Sequence, residues 1–176
     1  MLPDLQPNRS PRQPSFQTTL AVRAVFPFHF GRCCLALPEK SMTYAQCACG
    51  NLKVTPREPP LLTALCHCLA CQRRTGSLFS ANAFYSIDCI EISGASTEFI
   101  RTAESGRKVR MHFCPSCGST VYWQPEGAPS MIGVAVGSFA DPTFPPPALS
   151  IFEQSKHAWV PLDRKMRHFL HMPDRE

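Results

Sequence analysis

The chain has 176 residues, of which 44% are hydrophobic, so it is long enough to form one domain with a buried core. No stretch approaches the roughly 20 consecutive apolar residues that cross a bilayer, which argues against a membrane-spanning protein and favours a soluble, cytoplasmic one. The formal net charge is +5, and residues 1–41 contribute five basic and two acidic groups to it. The small remaining charge of residues 42–176 gives little support for nucleic-acid binding.

Residues 1–41 differ in composition from the rest of the chain. They hold six prolines and scattered arginines, and only a brief apolar stretch lies among them. We expect a disordered or dispensable N-terminal extension, with translation starting naturally at Met42. The alternative is an organelle-targeting leader, although the prolines disfavour the amphipathic helix that such leaders form. Cys33 and Cys34 lie in this extension and are assigned no metal.

Residues 42–176 are predicted to form a single all-β domain, compact and zinc-bound. Short runs of apolar, aromatic and β-branched residues are separated here by glycine, proline and serine. The predicted strands are 52–54, 61–66, 78–85, 90–93, 98–102, 108–113, 120–123, 131–137 and 149–152. Because the only helical candidate is the short segment 69–74, we expect one or two bent antiparallel sheets with metal-binding loops at one end.

The strands 98–102 and 108–113 are predicted to pair as a hairpin that leads directly to Cys114. This hairpin contains the densest basic run of the chain, formed by Arg101, Arg107, Lys108 and Arg110. We interpret that run as the solvated surface of a hairpin rather than a nucleic-acid-binding face.

Seven of the ten cysteines fall into three tight clusters, CACG at 47–50, CHCLAC at 66–71 and CPSCG at 114–118. A structural zinc site takes four ligands, whereas a catalytic site takes three protein ligands and keeps one position for water or substrate. Seven cysteines therefore predict two Zn²⁺ ions per chain, one closed and one open. A CxCG or CxxCG turn points both sulfurs to the same side and uses its glycine for a conformation closed to other residues.

The two knuckles, Cys47 with Cys49 and Cys114 with Cys117, are predicted to form the closed structural site. The remaining sulfurs would bind the open, catalytic zinc; they belong to Cys66, Cys68 and Cys71. A thiol that arrives at such a site is held as the thiolate, which is the reactive nucleophile, so the site suits chemistry on an incoming sulfur.

Three alternatives remain open for the cysteine clusters. In the first the cysteines form disulfides, although disulfide-rich domains are usually secreted and small, and CxC pairs are strained. Both zincs could be structural, with His67 or His112 completing the second site. Ligands could also be exchanged between the two sites, because the sequence does not determine which clusters meet.

The motif order CxCG, CHCxxCQRRTGS, FCPxCGS and GSFxDP, followed by a late tryptophan, resembles the family of glutathione-dependent formaldehyde-activating enzymes. That family includes the centromere protein V relatives, and the resemblance covers residues 44–159. It implies an all-β zinc fold with the same division of the seven ligands. It also implies the founding activity, which joins glutathione and formaldehyde into S-(hydroxymethyl)glutathione, formally a carbon–sulfur lyase run in reverse.

Several other residues are candidates for contact with a substrate. Arg73 could pair with a carboxylate as a guanidinium fork, or lie exposed in the zinc loop. Ser77 belongs to a turn whose N–H groups could receive an oxyanion or simply connect two elements. Trp159 could wall the pocket or pack in the core, and the resemblance places Ser138 and Asp141 near the pocket.

These observations favour a zinc-dependent carbon–sulfur lyase that acts on a small thiol adduct such as S-(hydroxymethyl)glutathione. The expected partner is a small glutathione-like thiol, with no nucleic acid and no membrane. The alternative is a zinc-structured binding or thiol-sensing module without turnover.

Overall fold

The computed structural model describes residues 43–103 and 106–173, which form a mostly β structure with one α-helix. The strands of these residues, in chain order, are β1 (Ala45–Gln46), β2 (Lys53–Pro56), β3 (Leu62–Cys66), β4 (Ser80–Ser86), β5 (Ile90–Ser93), β6 (Thr97–Thr102), β7 (Lys108–Phe113), β8 (Thr120–Pro125), β9 (Met131–Ala135), β10 (Leu149–Ile151) and β11 (Arg167–His168). The helices are α1 (Leu69–Thr75) and the 3-10 helices Ile87–Cys89, Val136–Phe139 and Glu153–Ser155. The predicted all-β class is confirmed.

Two sheets contain all the strands of the described residues. A three-stranded antiparallel sheet has the order β1-β2-β5, and the second sheet has the order β11-β10-β3-β4-β9-β8-β7-β6. Neighbours from β3 to β6 along this order are antiparallel, as predicted. The prediction is wrong at the other edge, where β10 runs parallel to both β3 and β11. Parallel neighbours need a long crossover connection, which residues 152–166 provide between β10 and β11.

The predicted hairpin is confirmed as β6 and β7. Its register pairs Phe99 with Met111 and Arg101 with Val109, and the chain reaches Cys114 directly after β7. The strand β5 and the strand β7 have the predicted bounds, and β6 begins one residue earlier than predicted.

Other boundaries differ from the predictions for local reasons. The predicted strand 131–137 ends at Ala135, because the next residues form a 3-10 helix. That helix closes where the Ala140 N–H donates to Gly137 O at 3.2 Å, with Ala140 in the left-handed region. The strands β1 and β11 were not predicted, since two residues are too few to show an alternating pattern.

Buried apolar side chains form two clusters. The first includes Leu52, Val54, Ile132 and Val134 together with two of the metal-site candidates, Cys47 and Cys114. The second lies where β3, β10 and α1 meet and consists of Ala64, Cys66, Cys68, Cys71, Leu149 and Ile151. The two groups of candidate metal ligands therefore contribute to different apolar clusters, the first through Cys47 and Cys114 and the second through all three of its cysteines.

The predicted N-terminal extension, with Cys33 and Cys34, lies outside the described residues, so the division of the chain at residue 42 stays a prediction. Within the described ranges, no helix combines the length and the apolar character that crossing a membrane requires.

Candidate metal centres

The sulfurs of Cys47, Cys49, Cys114 and Cys117 form one group, which we call the four-thiol cluster. All four sulfur atoms lie within 4.8 Å of one another. The Sγ atoms of Cys47 and Cys49 are 3.5 Å apart, and those of Cys49 and Cys114 are 3.6 Å apart. Four sulfurs placed tetrahedrally around zinc at bonding distance are about 3.8 Å apart. The cluster therefore has the donor set and the spacing of a four-coordinate metal site.

Two similar tight turns bring these sulfurs together. In the first turn the Gly50 N–H donates to Cys47 O at 3.0 Å, and in the second the Gly118 N–H donates to Cys114 O at 2.8 Å. Both glycines have a positive φ, of +77° and +71°, which other residues rarely adopt. The Leu52 N–H donates to the Cys47 sulfur at 3.2 Å, as is expected for a sulfur that carries negative charge.

A direct hydrogen bond joins the two turns. The Ala48 N–H of the first turn donates to the Ser119 hydroxyl of the second at 3.2 Å. The same hydroxyl lies 3.4 Å from the Cys117 sulfur. The four-thiol cluster therefore connects segments that are far apart in the sequence.

The pKa values of the exposed thiols in this cluster differ widely. Hydrogen bonds from Ser119 lower the pKa of Cys117 to about 5. A backbone hydrogen bond from Asn51 lowers the pKa of Cys49, but the neighbouring thiol of Cys47 and burial outweigh it and raise that pKa to about 12. The Cys117 thiol is thus far more acidic than the Cys49 thiol beside it, because adjacent negative charges repel. A divalent cation would remove that repulsion.

The sulfurs of Cys66, Cys68 and Cys71 form a second group, the three-thiol cluster. They lie within 4.8 Å of one another, and all three residues are buried. No histidine, aspartate or glutamate of the described residues joins them. This cluster could hold a metal ion with three protein ligands.

Local structure explains why these three sulfurs converge. Cys66 ends β3, where it lies between Ser80 of β4 and Ile151 of β10. Cys68 caps the N-terminus of α1, and its sulfur accepts the Cys71 N–H at 3.4 Å. The segment CHCLAC therefore runs from the end of β3 through the N-cap of α1 into its first turn.

The side chain of Gln72 connects α1 to two neighbouring segments through hydrogen bonds. Its Nε2 donates to His67 O at 2.8 Å and to Ser155 O at 2.9 Å. Its Oε1 lies 3.3 Å from His157 Nε2. The helix ends where the Gly76 N–H donates to Gln72 O at 2.9 Å. These bonds hold the loop after β10 against the helix that carries Cys71.

The pKa values of the three thiols are also spread apart. Hydrogen bonds from Cys66 and Cys71 lower the pKa of Cys68 to about 2, with a smaller contribution from the charge of Arg101. Hydrogen bonds with Cys68 and Cys71, followed by burial, raise the pKa of Cys66. A hydrogen bond from Cys66 lowers the pKa of Cys71, but Cys68 and burial raise it overall, against the charge of Arg74. A bound divalent cation would hold all three sulfurs as thiolates.

Neither candidate histidine lies with the three sulfurs. His67 is fully buried, and its ring packs against Phe79 at a centroid distance of 5.6 Å. His112 stacks on Tyr122 at 4.4 Å, and its Nδ1 lies 3.3 Å from the Ser96 hydroxyl. The alternative in which one of these histidines completes the second metal site is therefore not observed.

A cavity of about 410 Å³ lies between α1 and the β6–β7 hairpin. Its lining residues are Ala70, Arg73, Arg74, Phe99, Arg101, Met111, Phe113 and Thr120. Arg74 is fixed by a hydrogen bond of 2.6 Å to the Ser80 hydroxyl and by stacking on Trp123 at 4.9 Å. The Arg101 Nε is buried and has no hydrogen-bond partner among the described residues.

The predicted substrate-contact residues are placed differently from one another. Arg73 lines the cavity, whereas Ser77 is exposed and its N–H donates to Thr75 Oγ1 at 3.2 Å. Trp159 is 71% exposed, so it is not a core residue, and its indole meets the ring of His157 edge-on.

Two residues that the resemblance placed near the pocket lie elsewhere. Ser138 and Asp141 line a separate cavity of about 350 Å³ together with Tyr44. None of the three-thiol cluster and none of the arginines of the first cavity lines this second one. The structure therefore does not place Ser138 and Asp141 in the cavity beside α1.

Arg101 was missed as a site residue and was interpreted as part of a solvated hairpin. That interpretation is wrong for Arg101, which is half-buried and faces the cavity. The alternation of side chains along the strand could have indicated this position, because Arg101 shares a strand face with Phe99 and lies opposite the apolar Val109.

Comparisons with known proteins give one family match and one similar crystal structure. The family model described as glutathione-dependent formaldehyde-activating enzyme matches residues 42–155, more than half of the chain. A crystal structure of a Rhodobacter sphaeroides protein is similar at 21% sequence identity and a TM-score of 0.42. The similarity covers 54% of this chain and 85% of that chain. A search of curated proteins found no match. The family match includes all seven clustered cysteines and ends before Trp159.

Proposed function

The chain belongs to the family of glutathione-dependent formaldehyde-activating enzymes, and we propose that it is a zinc-dependent carbon–sulfur lyase. Its proposed substrate is a small thiol adduct such as S-(hydroxymethyl)glutathione, which it forms or splits reversibly. Family membership supports a glutathione-related reaction with formaldehyde, and the three-thiol cluster supports the zinc.

The observation that carries this proposal is the group of three buried sulfurs that no further donor of the described residues completes. Cysteine sulfur is a preferred zinc ligand, and three protein ligands are typical of a catalytic zinc site. Cys66, Cys68 and Cys71 would hold this ion. Bound there, zinc would act as a Lewis acid that favours the thiolate form of an incoming thiol.

The four-thiol cluster is proposed to hold a second, structural zinc. Its ligands would be Cys47, Cys49, Cys114 and Cys117, which satisfy a tetrahedral ion without an outside ligand. Such a site contributes to folding and not to the reaction. We therefore propose two Zn²⁺ ions per chain.

The proposed reaction is an addition that needs no oxidant or reductant. The glutathione sulfur forms a bond to the carbon of formaldehyde, and the carbon–oxygen double bond becomes a single bond. The thiol gives up its proton, and the former carbonyl oxygen takes one up. The reverse direction breaks the same carbon–sulfur bond and releases both reactants.

Three further residues are proposed to contact the thiol substrate. Arg73 lines the cavity beside α1, and its guanidinium group is suited to a carboxylate. Trp159 presents an exposed indole beside His157, which Gln72 links to α1. Ser77 would act through its hydroxyl group, since its N–H is already bonded within the turn.

We propose a small-molecule thiol as the partner and the cytoplasm as the location. The cysteines of the described residues are not paired in disulfides, which is typical of proteins in reducing compartments. Glutathione is itself abundant in such compartments.

The direct test is adduct exchange measured by NMR on the purified, zinc-loaded protein. Glutathione and formaldehyde form S-(hydroxymethyl)glutathione without a catalyst, so exchange between the adduct and free formaldehyde is compared with protein-free buffer. The protein should accelerate this exchange. The variant Cys68→Ser should exchange at the buffer rate, and Cys89→Ser, which changes a cysteine outside both clusters, should behave as wild type.

Two results would contradict the proposal. Equal exchange rates with and without protein, for glutathione and for other small thiols, would rule out the lyase activity. Glutathione binding without acceleration would instead identify a thiol-binding or thiol-sensing module that uses the same cluster.

A further inference from the structure

The side chain of Arg101 extends from the β6–β7 hairpin into the cavity lining, beside apolar residues of the same strand face. Its Nε atom is buried and lacks a hydrogen-bond partner among the described residues. The same strand face provides Phe99, Met111 and Phe113, whose side chains are apolar and offer at most a weak sulfur acceptor. A buried N–H group is unfavourable unless an acceptor reaches it.

The cavity that Arg101 lines contains two more guanidinium groups and no acidic residue. Arg73 and Arg74 come from α1, on the opposite side from the hairpin that carries Arg101. Arg74 is already held by Ser80 and Trp123, whereas the Nε of Arg101 remains unsatisfied. Guanidinium groups bind carboxylates through paired hydrogen bonds, so the cavity has the chemistry of a carboxylate site.

This cavity lies next to the three-thiol cluster. Ala70, which lines it, stands between Cys68 and Cys71 in the sequence of α1 and its cap. The charge of Arg101 also acts on the Cys68 thiol and that of Arg74 on the Cys71 thiol, so two of the cavity's arginines lie near the sulfurs. The volume of about 410 Å³ falls within the usual range for small-molecule sites.

We propose that Arg101 binds a carboxylate of the thiol substrate, together with the arginines of α1, and so selects carboxylate-bearing thiols over neutral ones. This inference rests on the proposed function, because it concerns the thiol that reacts at the three-thiol cluster. Glutathione carries two carboxylates, and its methylene groups would contact the apolar wall of Phe99, Met111 and Phe113. Arg101 is thus a specificity residue and not a metal ligand.

Binding of glutathione and of its diethyl ester tests the proposal, because the two thiols differ only in their carboxylates. Affinities are measured by calorimetry on the zinc-loaded wild type and on Arg101→Gln. The wild type should bind glutathione at least about tenfold more tightly than the ester, as is typical of a charge-assisted hydrogen bond. In Arg101→Gln the two affinities should become nearly equal.

The matched control is Arg110→Gln, which removes the same charge from the partner strand of the hairpin. Arg110 lies on the opposite strand face, where it pairs with Glu98 at 3.3 Å. This variant should keep the wild-type preference. A second variant, Arg101→Lys, keeps the charge without the planar fork and should retain part of the preference.

The outcomes separate this inference from the proposed function. Equal affinities in the wild type, no binding of either thiol, or an unchanged preference in Arg101→Gln would each overturn the role of Arg101. The adduct exchange of the diethyl ester, which lacks carboxylates, tests the lyase activity independently. Accelerated exchange of the ester, together with equal affinities for glutathione and the ester, would contradict only the role of Arg101. A preference that depends on Arg101 without accelerated exchange would support the carboxylate site and reject the lyase.

Discussion

The four-thiol and three-thiol clusters use the same donor atom in two different ways. The four-thiol cluster draws its ligands from two turns far apart in the chain, before β2 and after β7, and two of its residues are exposed. The three-thiol cluster takes all its ligands from residues 66–71, and all of them are buried. One cluster connects distant segments, and the other occupies a single strand-to-helix junction.

This difference indicates which cluster stabilises the fold and which is suited to chemistry. A metal that joins distant segments restricts the unfolded chain and contributes to folding directly. A metal held by one short segment contributes less to folding, because its ligands are already close in the unfolded chain. The helix α1, which carries Cys71, also contributes Arg73 and Arg74 to the cavity that three arginines line.

The largest effect is expected for Cys114→Ser in the four-thiol cluster. Cys114 is fully buried, and structural zinc binding is worth about 10 kcal/mol or more, comparable with the stability of a whole domain. The variant should lose its cooperative thermal transition in circular dichroism. The control Cys89→Ser should keep that transition, and a folded Cys114→Ser protein would show that the four-thiol cluster is not structural.

The next effect is expected for Cys71→Ser in the three-thiol cluster. Elemental analysis should find two zinc ions per wild-type chain and one in this variant, while circular dichroism still shows a cooperative transition. The exchange activity should be lost together with the second zinc. If Cys71→Ser and Cys114→Ser unfold alike, the distinction between the two clusters is wrong.

A smaller effect is expected when Gly133 in β9 is replaced by alanine. A Cβ atom at Gly133 would overlap the indole of Trp123, on which Arg74 stacks. Overpacking of this kind typically destabilises a protein by about 1–3 kcal/mol. Urea unfolding should show this loss, with both zinc ions retained and weaker glutathione binding. The control Gly137→Ala, where the added Cβ meets open space, should change neither the stability nor the glutathione affinity. If Gly133→Ala binds glutathione as tightly as wild type does, Trp123 does not contribute to glutathione binding.

The smallest effect concerns the loop after β10, which is hydrogen-bonded to α1 through Gln72. His168 Nδ1 lies 2.8 Å from Glu153 Oε1, and this hydrogen bond raises the pKa of His168 above 6.5. Stability gained from a raised histidine pKa is fully present below 6.5 and is lost as the pH rises through the folded value. Melting temperatures of wild type and His168→Gln should therefore differ at pH 6 and converge at pH 9. A difference that grows with pH would contradict the assigned direction.

Much of the β structure could be predicted because local sequence carries the signal. Glycine and proline mark the turns, and the β6–β7 hairpin follows from two alternating runs separated by a short polar segment. The parallel placement of β10 beside β3 could not be predicted in this way, since it depends on the path of the loop after Phe139. The 3-10 helix Val136–Phe139 was predicted as strand because its residues are apolar and give no sign of the turn at Ala140.

The candidate site shows the same division between local and long-range information. Spacing placed Cys66, Cys68 and Cys71 together, because six residues at a helix start allow little else. The position of Arg101 in a cavity lining was not predicted, because a basic residue in a hairpin is usually solvated, and this cavity forms between α1 and that hairpin. The exposure of Trp159 likewise depends on the loop held by Gln72.

The sequence by itself determined the identity of the sulfur donors, their grouping into short turns and the all-β class. These properties depend on neighbouring residues, whose geometry the covalent chain restricts. Only the tertiary structure decided that neither His67 nor His112 joins the three-thiol cluster and that Arg101 faces the cavity lined by α1. Those properties depend on strand order and register, which bring together residues far apart in the chain and which local preferences do not specify.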